Sequence, residues 1–185
     1  MSTAVQPEPS VTTWQIDPVH STAQFKVKHL MISNVKGEFT SLKGSLQLDS
    51  SDVAKSSLEV AIDANSINTR EPQRDAHLKS ADFFDVEKFP NIAFKSSKVS
   101  KKESGEFAVE GDLTIHGVTR KVTLEVEAPS TPQKDPWGGT RIGIEATAKI
   151  NRKDFGLVWN ATLETGGFMV GDEVTIALDV QFIKQ

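Results

Sequence analysis

The sequence predicts an all-β protein with one domain of about eight or more antiparallel strands. Three observations support this. Apolar and polar residues alternate along most of the chain after Thr12, short segments rich in glycine or proline separate the alternating runs, and a single stretch, residues 70–85, has no β-branched residue. Alternation gives each strand one dry and one wet face, which antiparallel sheets tolerate and parallel sheets do not.

The alternating runs follow one another along the whole chain, and each assigns a set of side chains to one interior. The clearest runs are residues 23–27, 58–62, 92–94, 107–115, 122–126, 142–150 and 176–182. A register slip of one residue would turn every side chain of a strand to the other face, so the apolar phase fixes the inward set. That set is Phe25, Val27, Val60, Ile62, Phe94, Leu113, Ile115, Leu124, Ile144, Ile176 and Leu178.

Two segments break the alternation. Pro72 lies near the start of a polar stretch, where helices tolerate proline, so the pattern predicts one short helix near residues 72–80. Leu30, Met31 and Ile32 are three consecutive apolar residues that cannot share one face of a strand. They predict a bend that brings apolar side chains to one end of the sheet.

Two architectures satisfy one apolar face per strand: a two-sheet sandwich with a filled core, and a closed barrel whose interior is packed or holds a small ligand. Periodicity does not separate them. The nine-residue runs 107–115 and 174–182 favour the barrel, because nine extended residues span roughly 30 Å. Small residues in the inward phase (Ala23, Ala146, Ala148 and Gly111) favour an interior with free space.

Composition excludes several classes of protein. The chain has 185 residues, no cysteine, 21 basic against 25 acidic residues and a net charge of −4, which argues against thiolate metal sites and a nucleic-acid surface. No apolar run approaches the roughly 20 residues of a membrane span. Residues 1–11 predict a flexible tail before a single domain at 12–185. The first residues resemble no signal peptide, so we expect a cytoplasmic protein, or a periplasmic one if such a peptide was removed.

Catalytic and metal-binding motifs are weak. The four histidines (His20, His29, His77 and His116) have no metal-ligand spacing, and the chain lacks a nucleophile elbow and a phosphate-binding loop. The glycine-rich residues 166–171 are typical of a hairpin loop. Asp17, which precedes Pro18, predicts an Asx turn that caps a bend.

One cationic cluster lies on the predicted helix. Arg70, Arg74, His77 and Lys79 occur within ten residues, and Arg74 and His77 share a helix face. If that face overhangs a barrel end, it is suited to an anionic head group. The alternative is that Arg74 and Asp75 make structural ion pairs that hold the helix.

Several motifs together resemble the YceI-like family of lipocalin-like, polyisoprenoid-binding proteins. The resemblance covers about residues 13–183 in the family's order. The matching segments are Trp14-x-Ile16-Asp17-x-x-His20-Ser21, Phe25-x-Val27-x-His29, Val35-x-Gly37-x-Phe39, Arg74-Asp75-x-His77 through Asp85, Phe89-Pro90-x-Ile92-x-Phe94, Gly111 through Thr119, Asn151-Arg152-x-Asp154-Phe155-Gly156 and Gly171-Asp172-x-Val174.

The resemblance implies an extended eight-stranded antiparallel barrel with a helix near one mouth. It also implies an apolar tunnel for a long polyisoprenoid lipid, such as an isoprenoid quinone or a prenyl pyrophosphate, with no catalysis and no cofactor besides that lipid. We expect head-group contacts from His29, Arg70, Arg74, His77 and Lys79. The expected tunnel lining is Trp14, Phe25, Val27, Phe39, Val60, Ile62, Phe94, Leu113, Ile115, Leu124, Ile144, Ala146, Trp159, Phe168, Ile176 and Leu178.

Two other functions remain open at this point. The first is an enzyme that acts on a lipid or quinone, with Asp17, His29 and His77 as acid and base candidates. The second is a packed barrel that serves as a protein-interaction module. The carrier hypothesis leaves room for transient membrane contact and for a homodimer.

Overall fold

The computed structural model describes residues 10–164 and 166–185. The predicted tail lies outside these residues except for Ser10 and Val11, and Val11 begins the first strand. Within the described residues the chain forms twelve strands and one α-helix. In chain order they are β1 (Val11–Ile16), β2 (Thr22–His29), β3 (Ser33–Phe39), β4 (Leu42–Asp49), β5 (Ser57–Asp63), β6 (Ile67–Asn68), α1 (Pro72–Lys79), β7 (Asn91–Lys101), β8 (Phe107–Ile115), β9 (Val118–Val126), β10 (Gln133–Lys134), β11 (Thr140–Asn151) and β12 (Val170–Lys184).

The strands close into one antiparallel barrel. Three pairs of consecutive strands, β1–β2, β3–β4 and β5–β6, each form one long wall strand with an interruption in the middle. The wall then continues through β7, β8, β9, β11 and β12, and β12 pairs with β1 and β2 to close the ring. Each wall strand neighbours the next in the chain, so the barrel has up-and-down topology. The predicted eight-stranded antiparallel barrel with one short helix is confirmed, and the closed ring excludes the sandwich.

Inward glycines let aromatic rings fold against the wall. A Cβ at Gly111 would lie 2.5 Å from the Phe94 ring, and one at Gly37 would lie 2.4 Å from the Phe25 ring. The space that Gly111 releases is therefore occupied by Phe94, contrary to our expectation that it leaves room in the interior.

The helix α1 forms where the local sequence predicts it. The carboxylate of Glu71 accepts hydrogen bonds from the backbone N–H groups of Gln73 and Arg74, and Pro72 occupies the first turn. His77 and Lys79 lie in the last turn, where basic side chains complement the helix dipole. No helix in residues 10–164 and 166–185 is long and apolar enough to cross a membrane.

The two ends of the barrel differ. We call one the helix end; it carries α1, the β2–β3 turn, the β8–β9 turn and the β11–β12 connection. The far end carries the β4–β5, β7–β8 and β9–β11 connections. This asymmetry places all of the irregular structure between β11 and β12 on the same side of the molecule as the helix.

Candidate functional site

An apolar chamber runs inside the barrel. It has two adjoining compartments, one of about 180 Å³ toward the helix end and one of about 90 Å³ toward the far end. Leu58, Val60, Leu124 and Leu178 line both compartments, so the two adjoin along the barrel interior. The shape is elongated, and hydrocarbon side chains form most of its wall.

Most of the predicted lining residues lie on this wall. Side chains that point into the barrel, such as Phe25, Ile62 and Ile176, are only half-buried, although the strands enclose them. This combination means that they face open space instead of a filled core. The predicted residues that line the chamber are Phe25, Val27, Phe39, Val60, Ile62, Phe94, Leu113, Ile115, Leu124, Ile144, Ala146, Ile176 and Leu178.

Three predicted lining residues lie elsewhere. Trp14 is buried in β1, and its indole N–H donates to Thr12 Oγ1 at 2.8 Å. Phe168 is 52% exposed on the β11–β12 connection, where the Lys153 ammonium lies over its ring. Trp159 packs against the chamber's closing side chains from outside the lining. These three aromatic residues have environments other than the chamber wall, and the alternation of apolar and polar residues does not predict those environments.

Two segments close the chamber at the helix end. The first segment contributes Leu78 of α1 and Phe83 and Phe84 of the following turn. The second contributes Leu157 of the β11–β12 connection, together with Val170 at the start of β12. The two segments meet through aromatic rings. The centroid of Trp159 lies 4.8 Å from that of His77 and 5.3 Å from that of Phe83. The closure therefore consists of side-chain contacts between the helix region and the β11–β12 connection.

The arginine head-group candidates point away from the chamber lining. Arg74 donates from Nε to Thr69 Oγ1 at 2.7 Å and from Nη2 to the Thr69 carbonyl at 2.8 Å. Asp75 accepts from the Thr69 backbone N–H at 2.9 Å. Arg70 is exposed and borders an outer groove with Lys36. Arg74 therefore holds the helix in place, as the structural alternative expects, but it does so through hydrogen bonds to Thr69 and not through the expected ion pairs.

The other head-group candidates surround the closure without lining the chamber. His77 Nε2 lies 2.8 Å from Asp82 Oδ2, and the His77 ring packs edge-on against Phe83 at 5.1 Å. Lys79 is half-buried in the last turn of α1. His29 is half-buried at the end of β2, opposite Val170. The structure thus places His77 in the closure, whereas Arg70 borders an outer groove.

Arg152 is a charged residue of the chamber wall that the sequence analysis did not single out. It is 4% exposed, and its guanidinium donates to the carbonyls of Gly171, Leu157 and Trp159 at 2.8, 2.6 and 2.8 Å. Burial lowers the pKa of Arg152 and Asp172 raises it, but an arginine remains charged in either case. These hydrogen bonds from the guanidinium hold the β11–β12 connection over the chamber. In the sequence, Arg152 appeared only within the segment Asn151-Arg152-x-Asp154-Phe155-Gly156, as part of the family resemblance.

The three acid and base candidates do not form one catalytic group. Asp17 is buried in the β1–β2 interruption, where it accepts from Val19 N–H at 3.0 Å in the predicted Asx turn. His20 and Arg141 also hydrogen-bond to it and, in that order, lower its pKa from 3.8 to about 2. Neither Asp17, His29 nor His77 lines the chamber.

The other hollows lie on the outer wall and are bordered by charge. One of about 320 Å³ is lined by Glu106, Glu125, Glu127, Glu145 and Asp179. Carboxylates of this density disfavour a hydrocarbon ligand. Among residues 10–164 and 166–185, no group of three or more histidine and acidic side chains is arranged to hold a metal ion.

The fold and the chamber together define a class: a small up-and-down barrel of the lipocalin type with an enclosed apolar interior. The model of the YceI-like domain matches residues 14–182, and the chain belongs to that family. The UPF0312 protein SAS2572 of Staphylococcus aureus strain MSSA476 is 38% identical over 173 residues, covering 93% of this chain and 98% of that protein.

Solved structures share the barrel. The YCEI protein of Campylobacter jejuni is 32% identical, with a TM-score of 0.70 over 86% of this chain and 91% of that one. BcnA of Burkholderia cenocepacia superposes with a TM-score of 0.76 at 22% identity, over 90% and 98% of the two chains. A polyisoprenoid binding domain from Saccharophagus degradans gives a TM-score of 0.67 at 15% identity, over 94% and 99%. The last two likenesses concern the fold alone.

Proposed function

We propose that this protein binds a long-chain amphipathic lipid of the polyisoprenoid type in its chamber and carries or stores it unchanged. The observation that carries the proposal is the apolar chamber, whose two compartments adjoin along the barrel interior. Each CH₂ group moved from water into such a space contributes about 0.8 kcal/mol. A prenyl chain can therefore be bound by an apolar space of matching shape with few polar contacts. The polyisoprenoid binding domain of Saccharophagus degradans shares the barrel, so the proposed ligand is compatible with the fold.

The polar end of the lipid is proposed to face the helix end. The larger compartment lies there, and the charge of Arg152 borders it. The two closing segments meet through side chains that can separate without breaking the barrel wall. The compartment at the far end is the smaller one, and its polar lining residues are Ser56 and Ser57. We thus assign the isoprenoid tail to the far end.

Binding without chemistry is favoured over catalysis on the lipid. Asp17, His29 and His77 lie on three different elements, and none of the three lines the chamber. A general acid or base must reach its substrate within hydrogen-bonding distance. The open interior also disfavours a packed interaction module. Whether the protein is a homodimer stays a prediction.

Native mass spectrometry of gently purified protein, followed by extraction with organic solvent, tests this proposal. We expect one lipid per chain and, after incubation of emptied protein with an isoprenoid quinone or a prenyl pyrophosphate, recovery of that lipid with its mass unchanged. Recovery of a converted product would establish the enzyme alternative. Failure of both lipids to bind would overturn the proposal.

A further inference from the structure

Exposed apolar side chains are concentrated on two loops of the helix end. Seven large apolar side chains are exposed among residues 10–164 and 166–185, and four of them lie on the β2–β3 turn and the β11–β12 connection. Large apolar side chains that cluster on a surface mark a contact site more often than scattered ones do. The four are Met31 (60% exposed), Ile32 (81%), Val158 (62%) and Phe168 (52%).

The two loops are joined to each other and to the chamber. The backbone N–H of Leu30 donates to the carbonyl of Met169 at 2.8 Å, which ties the β2–β3 turn to the residue that follows Phe168. The next residue, Val170, lines the chamber. We use the name apolar rim for Met31, Ile32 and Phe168. The rim therefore adjoins the end at which the chamber is closed.

The turn displays its apolar side chains in an unfavourable backbone conformation. Ile32 N–H donates to the His29 carbonyl at 3.2 Å, and the two residues between them, Leu30 and Met31, have φ of 51° and 61°. Positive φ at both central positions of a hairpin turn usually selects asparagine, aspartate or glycine. Here the chain places long apolar residues at these positions instead, so local turn stability does not explain their presence.

Positive charge is concentrated on the strands next to the turn. Residues 26–36 contain three lysines and no acidic residue, although the whole chain has a net charge of −4. Lys26, Lys28 and Lys36 are exposed, and Lys26 lies directly opposite Lys36 in the β2–β3 pairing. Like charges in directly opposite positions disfavour a strand pair. An external anionic surface would relieve this repulsion.

We propose that the β2–β3 hairpin and the apolar rim dock onto the surface of an anionic lipid bilayer. The rim side chains enter the boundary between head groups and acyl chains, and the three lysines contact anionic head groups. A bilayer fits both the lysines and the apolar rim, because it has an anionic layer of head groups above an apolar layer. It also adapts to protruding side chains. The inference rests on the proposed function in one respect: the bilayer would be the source of the lipid that the chamber binds. Docking itself requires no ligand in the chamber.

Vesicle co-sedimentation tests the docking surface. The probe is a vesicle of phosphatidylcholine and phosphatidylglycerol in equal parts, compared with phosphatidylcholine alone. The test variant is Met31→Asn with Ile32→Asn, since asparagine tolerates positive φ. The matched control is Val19→Asn, because Val19 is also 81% exposed but lies in the β1–β2 connection. Thermal unfolding verifies that both variants are folded.

We expect the natural protein and Val19→Asn to bind the anionic vesicles equally and the double variant to bind at least about tenfold more weakly. Binding should weaken with added salt and on phosphatidylcholine alone. Absence of binding by the natural protein, or equal binding by the double variant, would overturn the proposal. The proposal would also be overturned if light scattering showed that the natural protein is a dimer, that the double variant is a monomer, and that neither binds vesicles. Vesicle binding by protein whose chamber takes up neither test lipid would leave docking established and the proposed function wrong.

Discussion

At the scale of single residues, the buried carboxylate of Asp17 has one partner that is distant in the sequence. Arg141 contacts Asp17, 124 residues away, and Asp135, and it also donates to Gln181. This joins the β1–β2 interruption to β11 and β12. The local sequence predicts the Asx turn at Asp17, because Val19 N–H is two residues away. It does not predict Arg141, since only barrel closure brings β11 beside that turn.

The Asp17 contacts predict a defined loss of stability in acid. The pKa of Asp17 is about 2 in the folded protein, below its ordinary value of 3.8, because His20 and then Arg141 hydrogen-bond to the carboxylate. Folding is therefore stabilised by this group above pH 4, and the stabilisation disappears as the pH falls toward 2. We expect Asp17→Asn to lower the free energy of unfolding at neutral pH by an amount that shrinks over this interval.

Urea unfolding at several pH values between neutrality and the acid limit measures this difference. Asp112→Asn is the control, because Asp112 is an exposed residue of β8 and its ion pair with Lys121 Nζ, at 3.0 Å, lies on the surface. Exposed pairs contribute little, so the control should follow the natural protein at every pH. A constant gap between Asp17→Asn and the natural protein down to pH 2 would contradict the assignment.

At the scale of elements, local signals predicted which segments are regular but not how they close the barrel. The helix was predicted near 72–80 and spans Pro72–Lys79, since a proline at its start and the absence of β-branched residues are local features. The sequence does not reveal that Arg152 folds the β11–β12 connection toward α1, because the guanidinium donates to backbone carbonyls, which every residue carries. The cationic cluster was visible, but its orientation depends on Thr69, which packs under the helix.

Arg74 is predicted to hold α1 and not to recognise a head group. Arg74→Ala removes two hydrogen bonds to Thr69, which is buried, so we expect the free energy of unfolding to fall by about 1–3 kcal/mol. Emptied Arg74→Ala protein should lose affinity for a prenyl pyrophosphate and for a quinone of equal chain length by the same factor. Arg70→Asn is the control for loss of positive charge, since Arg70 is exposed and has positive φ. A selective loss of the pyrophosphate in Arg74→Ala would restore the head-group interpretation.

At the scale of the whole molecule, alternation determines the inward faces but leaves the shape of the interior open. The residues predicted to point inward, from Phe25 to Leu178, all line the chamber, because a strand's phase follows from its period of two. Whether two such faces form a sandwich or a ring depends on the pairing of β12 with β1 and β2, between the two ends of the chain. The free volume inside the barrel depends on where aromatic side chains lie, as with the phenyl group of Phe94 over Gly111. Composition does not reveal these positions.

The two-compartment chamber predicts that ligand length can be controlled from the far end. Ala146 lines the compartment of about 90 Å³ and does not line the larger one. A phenylalanine at this position would fill much of the smaller compartment and leave the helix-end compartment open. We therefore expect Ala146→Phe to bind short prenyl chains as the natural protein does and to lose affinity for long ones.

A series of prenyl lipids of increasing length, measured by native mass spectrometry on emptied protein, gives the cut-off for each variant. Ala177→Phe is the control, because Ala177 is exposed on the neighbouring strand β12 and points away from the chamber. Thermal unfolding of both variants should remain close to that of the natural protein, since filling open space lacks the roughly 1–3 kcal/mol penalty of overpacking a full core. An unchanged length limit in Ala146→Phe, with the fold intact, would mean that the lipid tail does not extend into the far compartment.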